Sequence, residues 1–190
     1  MKITVKKSVF RKFNSLKIGI VLVKGIDNKN KLNESRHLLH EIEELIKLTF
    51  NKETIKNHDL ISPWAVAQEE FGKKAKHYHT AVEKLLKKVL SGKNIKSKDV
   101  LTNLMRCVAL KHIVPFGVDN YSKINGDLTF ALSSGKEKVG ALREIKKGAL
   151  YYKDEKSILG TKLDYWKSKR TTLDNKSTSA LIHFEVMLPI

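Results

Sequence analysis

The stretch LKHIVPFGVDNYSKINGD, Leu110 to Asp127, ends an apolar run at Pro115, turns at Gly117, and then presents Asp119, Asn120, Tyr121, Ser122, Asn125 and Asp127 before Leu128 resumes. Carboxylates and amides at that density suit either a plain hairpin, in which Asp119 and Asn120 are ordinary turn formers, or the polar lip of a pocket. Just upstream, Asn103 and Arg106 stand three residues apart, which places them on adjacent turns of one side of a helix. The histidines offer less. His77 and His79 are two apart and do not share a helix face, whereas His37 and His40 are three apart and within reach of one metal. No acidic or sulfur partner stands out beside His37 and His40, so they read as surface histidines, and no metal or cofactor is expected. His112 falls at a helix end, where an imidazolium meets the helix dipole favourably. Cys107, the only cysteine, has no disulfide partner and reads as a small core residue. The chain contains no Gly-rich phosphate loop, no G-x-S-x-G elbow and no H-E-x-x-H. Any catalysis must therefore rest on something other than a short motif.

Charge is the strongest global signal. Of 190 residues, 37 are basic and 20 acidic, a formal net charge of +17, which points to a polyanionic partner. Nine lysines and a single acid, Glu83, lie between Lys73 and Lys98, so much of the excess sits in one segment. Only five of the basic residues are arginine. Lysine offers point charges for phosphates and little base reading, so nucleic-acid binding by such a surface is backbone-dominated and salt-sensitive. The bland alternative is a solvated lysine face. With 41% hydrophobic residues, the chain has enough apolar content for one sizeable core. No apolar run is long enough for a membrane span, and MKITVKKSVFRKF has no signal-peptide core, so a cytoplasmic protein is expected.

The elements that must position these residues alternate without repeats. KITVKKSVF and LKIGIVLVKGI read as strands, paired with each other or one edge and one central. Asn33 to Phe50 reads as an amphipathic helix capped by Asn33, and SPWAVAQEEFG as a helix in which Trp64 and Phe71 share a buried face. TAVEKLLKKVLSG is the clearest helix, its apolar pairs repeating every four residues and Gly92 closing its end, with Lys84, Lys87 and Lys88 on the opposite face. KDVLTNLMRCVALKH follows as another helix. From Ile113 onward the pattern is of short strands, IVPFG, GDLTFALS, GALYYKD and SALIHFEVMLPI, separated by SSGKEKVG and TKLDYWKSKRTTLDN. The expected fold is a single α+β domain over residues 1–190, with a central, mostly antiparallel or mixed β-sheet and helices packed on it.

In that order, the segments LKIGIVLVKGIDN, SPWAVAQEEFG, YHTAVEKLLKKVLSGK, VALKHIVPFGVDNYSKINGDL, KKGALYYKDE and KRTTLDNKST resemble the free-standing relatives of the B3/4 domain. That domain is the editing module of the bacterial-type phenylalanyl-tRNA synthetase beta subunit. The likeness runs from about residue 16 to 185 and is strongest from Pro115 to Gly126, then at Trp64 and Phe71-Gly72. It implies a B3/4-like domain that binds a mischarged tRNA end and hydrolyses the aminoacyl ester, or a non-catalytic module that binds tRNA, RNA or an amino acid. A second hydrolytic pocket is the known remedy where one binding step discriminates poorly between near-isosteric side chains. An ester is activated enough to be cleaved by a placed water and oxyanion donors, without metal or nucleophile.

The pocket residues the resemblance implies are Asn103, Asp119, Asp127, Arg170, Thr171 and Thr178, with the Arg170 and Thr171 spacing to Thr178 kept and Glu185 matching a synthetase pocket glutamate within one residue of register; Arg106, where the relatives favour an asparagine, and Gly117 are expected at the same pocket as departures from the family pattern. Lys73, Lys74, Lys76, Lys84, Lys87 and Lys88 are the expected tRNA contacts. The synthetase carries a histidine at the position that Gly117 matches, so hydrolysis here is expected to use a positioned water and neighbouring donors. The amino acid, the tRNA and the oligomeric state are left open.

Overall fold

The computed structural model describes residues 1–64, 80–139, 143–161 and 166–187. The fold is α+β, with one mixed and two antiparallel sheets and helices packed against them. β1 (Ile3–Val5) runs parallel to β4 (Leu128–Leu132), which pairs antiparallel with β7 (Leu150–Lys153) and through it with β8 (Ile158–Thr161), giving the order β1-β4-β7-β8. The second sheet is β2-β9-β3, formed by β2 (Leu16–Lys24), β9 (Ser179–Met187) and β3 (Phe116–Asn120), all antiparallel. β5 (Lys138–Val139) and β6 (Arg143–Glu144) make a small ribbon. The α-helices that lie wholly within the described residues are α1 (Lys7–Lys12), α2 (Leu32–Thr49), α3 (Ala81–Val89) and α4 (Val100–His112).

β9 is the axis of this arrangement because both of its faces are covered. Ala180 and Ile182 pack with Leu101 and Met105 of α4 and with Leu173, whereas Leu181 packs with Leu128, Phe130, Tyr152 and Leu159 of the four-stranded sheet. Successive strand residues point to opposite faces, so the even-numbered residues meet the helical layer and the odd-numbered ones meet the other sheet. His183 and Glu185 therefore face the interior between the two sheets. Behind α4 a helical core joins Leu39 and Ile46 of α2, Val82, Leu86 and Val89 of α3, and Ala109 and Leu110.

Three local expectations are corrected. KITVKKSVF is not one strand: after β1 the chain turns into α1, because Val9 and Phe13, four apart, bury one helical face against Leu16, Trp64, Leu150 and Met187. β1 and β2 do not pair but lie in different sheets. Asn33 does not cap α2; Lys31 precedes it in a left-handed conformation at φ 53° without a side-chain cap. The α3 and α4 helices fall where periodicity places them, capped by Thr80 and Asp99, and Gly92 sits at φ 74° just after α3. Trp64 is buried, while Phe71 and Gly72 lie outside the described residues. Cys107 is half-buried against the helical core, and burial pushes its thiol up, as suits a packing residue. His37 lies 3.3 Å from Glu41, and His40 lies 3.7 Å from Glu43, so acidic neighbours are present that the sequence reading did not single out. Among the described residues no helix is long and apolar enough to cross a membrane.

Buried Asn28 ties the start of α4 to a loop more than seventy residues further on. Its Oδ1 accepts from Leu101 N–H at 2.8 Å, and its Nδ2 donates to Asp174 O at 2.7 Å. Asn28→Ala orphans a first-turn N–H and a carbonyl, and is expected to lower unfolding free energy by about 1–3 kcal/mol. Urea denaturation at neutral pH measures it; an unchanged midpoint shows that these bonds do not hold the loop.

Candidate functional site

α4 ends at Ile113, itself left-handed at φ 53°, and the chain reverses through Val114 and Pro115 into β3. Among the described residues β3 pairs only with β9, so it is an edge strand there. Over that edge lies a pocket of about 150 Å³. Its apolar wall includes Trp64, Ala81, Pro115, Phe116, Val118, Trp166 and Leu173, and its polar groups include Lys98, Arg106, Tyr152, Lys167 and Glu185. Cavities of this size admit a benzene-sized group, whereas pockets for drug-sized ligands run to roughly 300 Å³ and above. The space therefore suits one side chain rather than a nucleotide.

Behind the pocket wall is a buried polar cluster centred on Asp119, which is fully buried. Its carboxylate accepts from Tyr152 Oη at 2.9 Å and, through short contacts, from Lys167 Nζ and Thr171 Oγ1. Lys167 Nζ also donates to Tyr152 Oη at 2.7 Å. On the other side, His183 Nε2 faces Asp119 Oδ2 at 3.5 Å, and His183 Nδ1 is 2.7 Å from Glu185 Oε1. The imidazole packs edge-on against the Tyr152 ring at 4.6 Å and the Phe130 ring at 5.7 Å. Burial pushes the Asp119 carboxyl upward. The Lys167 charge, the facing His183 ring and the Lys167 hydrogen bond together outweigh it and hold the group well below the usual carboxylate range.

Gly117 is the steric condition for this cluster. It lies within β3, opposite His183, rather than in a turn as its sequence context suggests. A Cβ built on it would come 1.9 Å from His183 Cε1 and 2.3 Å from Nε2. The imidazole from the neighbouring strand thus occupies the space that any side chain at position 117 would need.

The sequence candidates divide into three groups. Arg106, Gly117 and Glu185 line the pocket, and Asp119 and Thr171 form the cluster behind it. Asn103 is buried and acts at one remove: its Nδ2 donates to Ser35 and Ser97 Oγ, and its Oδ1 accepts from Lys98 N–H at 3.0 Å. Arg106 Nη1 donates to Lys96 O at 2.7 Å, so both residues hold the loop that carries Lys98 to the pocket. Asp127, Arg170 and Thr178 are not among the pocket residues. Asp127 is exposed and accepts from Lys2 N–H at 2.6 Å, which secures the β1–β4 end. Arg170 pairs with Asp154 at 2.5 Å and donates to Lys123 O, bracing two loops. Thr178 is exposed, and its carbonyl accepts from Ile26 N–H at 2.9 Å.

Lys84 is exposed on α3, whereas half-buried Lys87 pairs with Glu83 at 2.8 Å and Lys88 is also half-buried. Lys73, Lys74, Lys76, His77 and His79 lie outside the described residues. Sequence reasoning missed Tyr152, Lys167 and His183. For His183 the signal was present: a histidine and a glutamate two apart in the apolar strand SALIHFEVM share one face. Among the described residues no group of three or more His, Cys, Asp or Glu side chains is arranged to hold a metal ion.

Fold and site together define a single-domain α+β protein with a small, cation-rimmed pocket on a sheet edge. No protein-family model matches the chain, and no curated protein matches it.

Gly117→Ala forces the buried His183 ring out of its place. Overpacking of this kind costs about 1–3 kcal/mol, so a lowered melting temperature and a displaced His183 ring resonance are expected. A variant with wild-type melting and an unmoved ring would refute the close approach.

Proposed function

We propose that this chain is a B3/4-like, trans-acting editor that binds the aminoacylated end of a tRNA and hydrolyses the ester of a mischarged amino acid. The observation that carries the reading is the pocket itself: one side chain in volume, apolar on most of its wall, with Lys98, Arg106 and Lys167 among its polar groups. An amino acid side chain fits the apolar part, and the ribose-phosphate end suits the cations. The overall charge of +17 supports a polyanionic carrier.

In the proposed reaction a water oxygen bonds to the ester carbonyl carbon, the bond from that carbon to the ribose oxygen breaks, and the water's proton ends on the ribose oxygen. Negative charge develops on the carbonyl oxygen. The Lys167 ammonium, held by the Asp119 carboxylate and by the Tyr152 hydroxyl that accepts from it at 2.7 Å, is a preorganised cation at the pocket wall for that charge, and Tyr152, whose own proton goes to Asp119, positions it. Asp119 and Thr171 act as positioning residues, since their bonds fix Lys167 and Tyr152. His183 holds Glu185, the one acid among the described pocket-lining residues, by its 2.7 Å contact.

The test is single-turnover release of amino acid from a panel of mischarged tRNAs, with tRNA binding measured against salt. Release from at least one member is expected, falling by about 10²-fold in Lys167→Met and less in Tyr152→Phe, with binding that weakens steeply as salt rises. Salt-sensitive binding without release from any member would assign a non-catalytic tRNA-binding module. Retention of amino acid alone, with no tRNA bound at low salt, would assign an amino-acid-binding module.

A further inference from the structure

The main chain of β3 carries information that its side chains do not. At one end of the strand Glu185 N–H donates to Pro115 O, so residue 115 faces β9; at the other, Asn120 N–H donates to Thr171 O, so residue 120 faces away. The β3–β9 register from Phe116↔Phe184 to Asn120↔Ala180 is unbroken. In an antiparallel ladder the N–H and C=O of one residue point to the same neighbour, and successive residues alternate. Gly117 and Asp119 therefore bond to β9, and Phe116 and Val118 turn their main-chain groups outward.

The pocket lies on that outward side. Phe116 and Val118 pack on the helical face of the sheet with Leu173, whereas Gly117, Glu185 and Tyr152 belong to the opposite face. All six line the same pocket, which is possible only if it wraps across the strand edge. Asn120 is closed off by Thr171. Val118 lies between Gly117 and Asp119, beside the carboxylate that anchors Lys167 and Tyr152.

An outward strand residue offers one N–H donor and one C=O acceptor, and its complement is a single residue with one N–H donor and one C=O acceptor across one Cα. An aminoacyl group meets that description: it has one ammonium and one ester carbonyl. We propose that the main chain of Val118 is the docking element for the aminoacyl group, its N–H donating to the ester carbonyl oxygen and its C=O accepting from the α-ammonium. This rests on the reading of the pocket as an aminoacyl site. The same N–H strengthens its bond as the carbonyl oxygen gains negative charge, so it serves binding and transition state alike. It also makes recognition of the aminoacyl backbone independent of the side chain, which leaves selection among amino acids to the pocket walls.

The probe is a panel of adenosines carrying an amino acid on a 3′-amide, which cannot be hydrolysed as the ester is, titrated into the ¹⁵N-labelled full chain. At saturation the Val118 amide proton is expected to move downfield and exchange more slowly with solvent, with the Phe116 amide less affected and the Gly117 amide unmoved. Replacement of Val118 by its α-hydroxy acid, which exchanges the N–H for an ester oxygen, is expected to slow ester hydrolysis by about 10²–10³-fold. That N–H makes no ladder bond, so the fold is expected to survive the exchange. Saturation with an unmoved Val118 amide, or full activity of the α-hydroxy variant, overturns the assignment while leaving the hydrolytic reading intact. Binding of a probe with the expected shift but no turnover of any aminoacyl-tRNA removes the hydrolytic reading and keeps the docking element. Failure of every probe to bind overturns the docking element itself.

Discussion

A carboxylate removed from water must find its charge and its lone pairs answered inside the protein, and the polar interior here is organised around that requirement at Asp119. Tyr152 and Thr171 donate hydroxyls, Lys167 brings an ammonium, and His183 faces the remaining side. Such a cluster adds little net stability compared with an apolar core, but removal of one charged partner from it costs about 3–5 kcal/mol. Its value is positional. Each donor is locked by the same acceptor, so Lys167 and Tyr152 reach the pocket from fixed points rather than as mobile surface groups.

That requirement links parts of the chain far apart in sequence. Asp119 comes from β3, Tyr152 from β7 of the other sheet, Lys167 and Thr171 from the segment after β8, and His183 from β9. The stacking of the two sheets across β9 is what lets a tyrosine of one meet an aspartate of the other. Gly117 completes the arrangement, since any larger residue would collide with the His183 ring. Position 117 carries no side chain, and an imidazole from the adjacent strand stands over it.

Local signals accounted for much of the framework. Four-residue apolar spacing located α3 and α4, β-branched runs located β2 and β9, and the pairing of Asn103 with Arg106 on one helical side is realised in their shared hold on the loop through Lys96 and Lys98. KITVKKSVF misled because Val5, Val9 and Phe13 fit a four-residue spacing as well as an alternating one, and the contacts that decide between them come from Leu150 and Met187. The site was less legible for a similar reason. Arg170 and Thr171 are adjacent in sequence and look equivalent there, yet Thr171 points to Asp119 while Arg170 pairs with Asp154 on the far side of its loop. Lys167 is one of many lysines, and only the fold distinguishes it by the carboxylate it meets. Long-range pairing, which no local spacing encodes, assembles the cluster.

Everything at this site depends on Asp119 staying ionised inside the protein, where it holds the pocket's polar groups in place. The most direct test follows the ¹³Cγ shift of Asp119 in labelled protein as pH falls from neutral. An unchanged carboxylate shift is expected down through the range near 4 where an ordinary aspartate takes up its proton. A group whose folded pKa is depressed contributes stability above its unfolded pKa and loses it as pH falls, so Asp119 should change only as the protein itself gives way in acid. A protonation midpoint at or above about 4 in the folded protein would show that Lys167 and its neighbours do not hold Asp119 ionised.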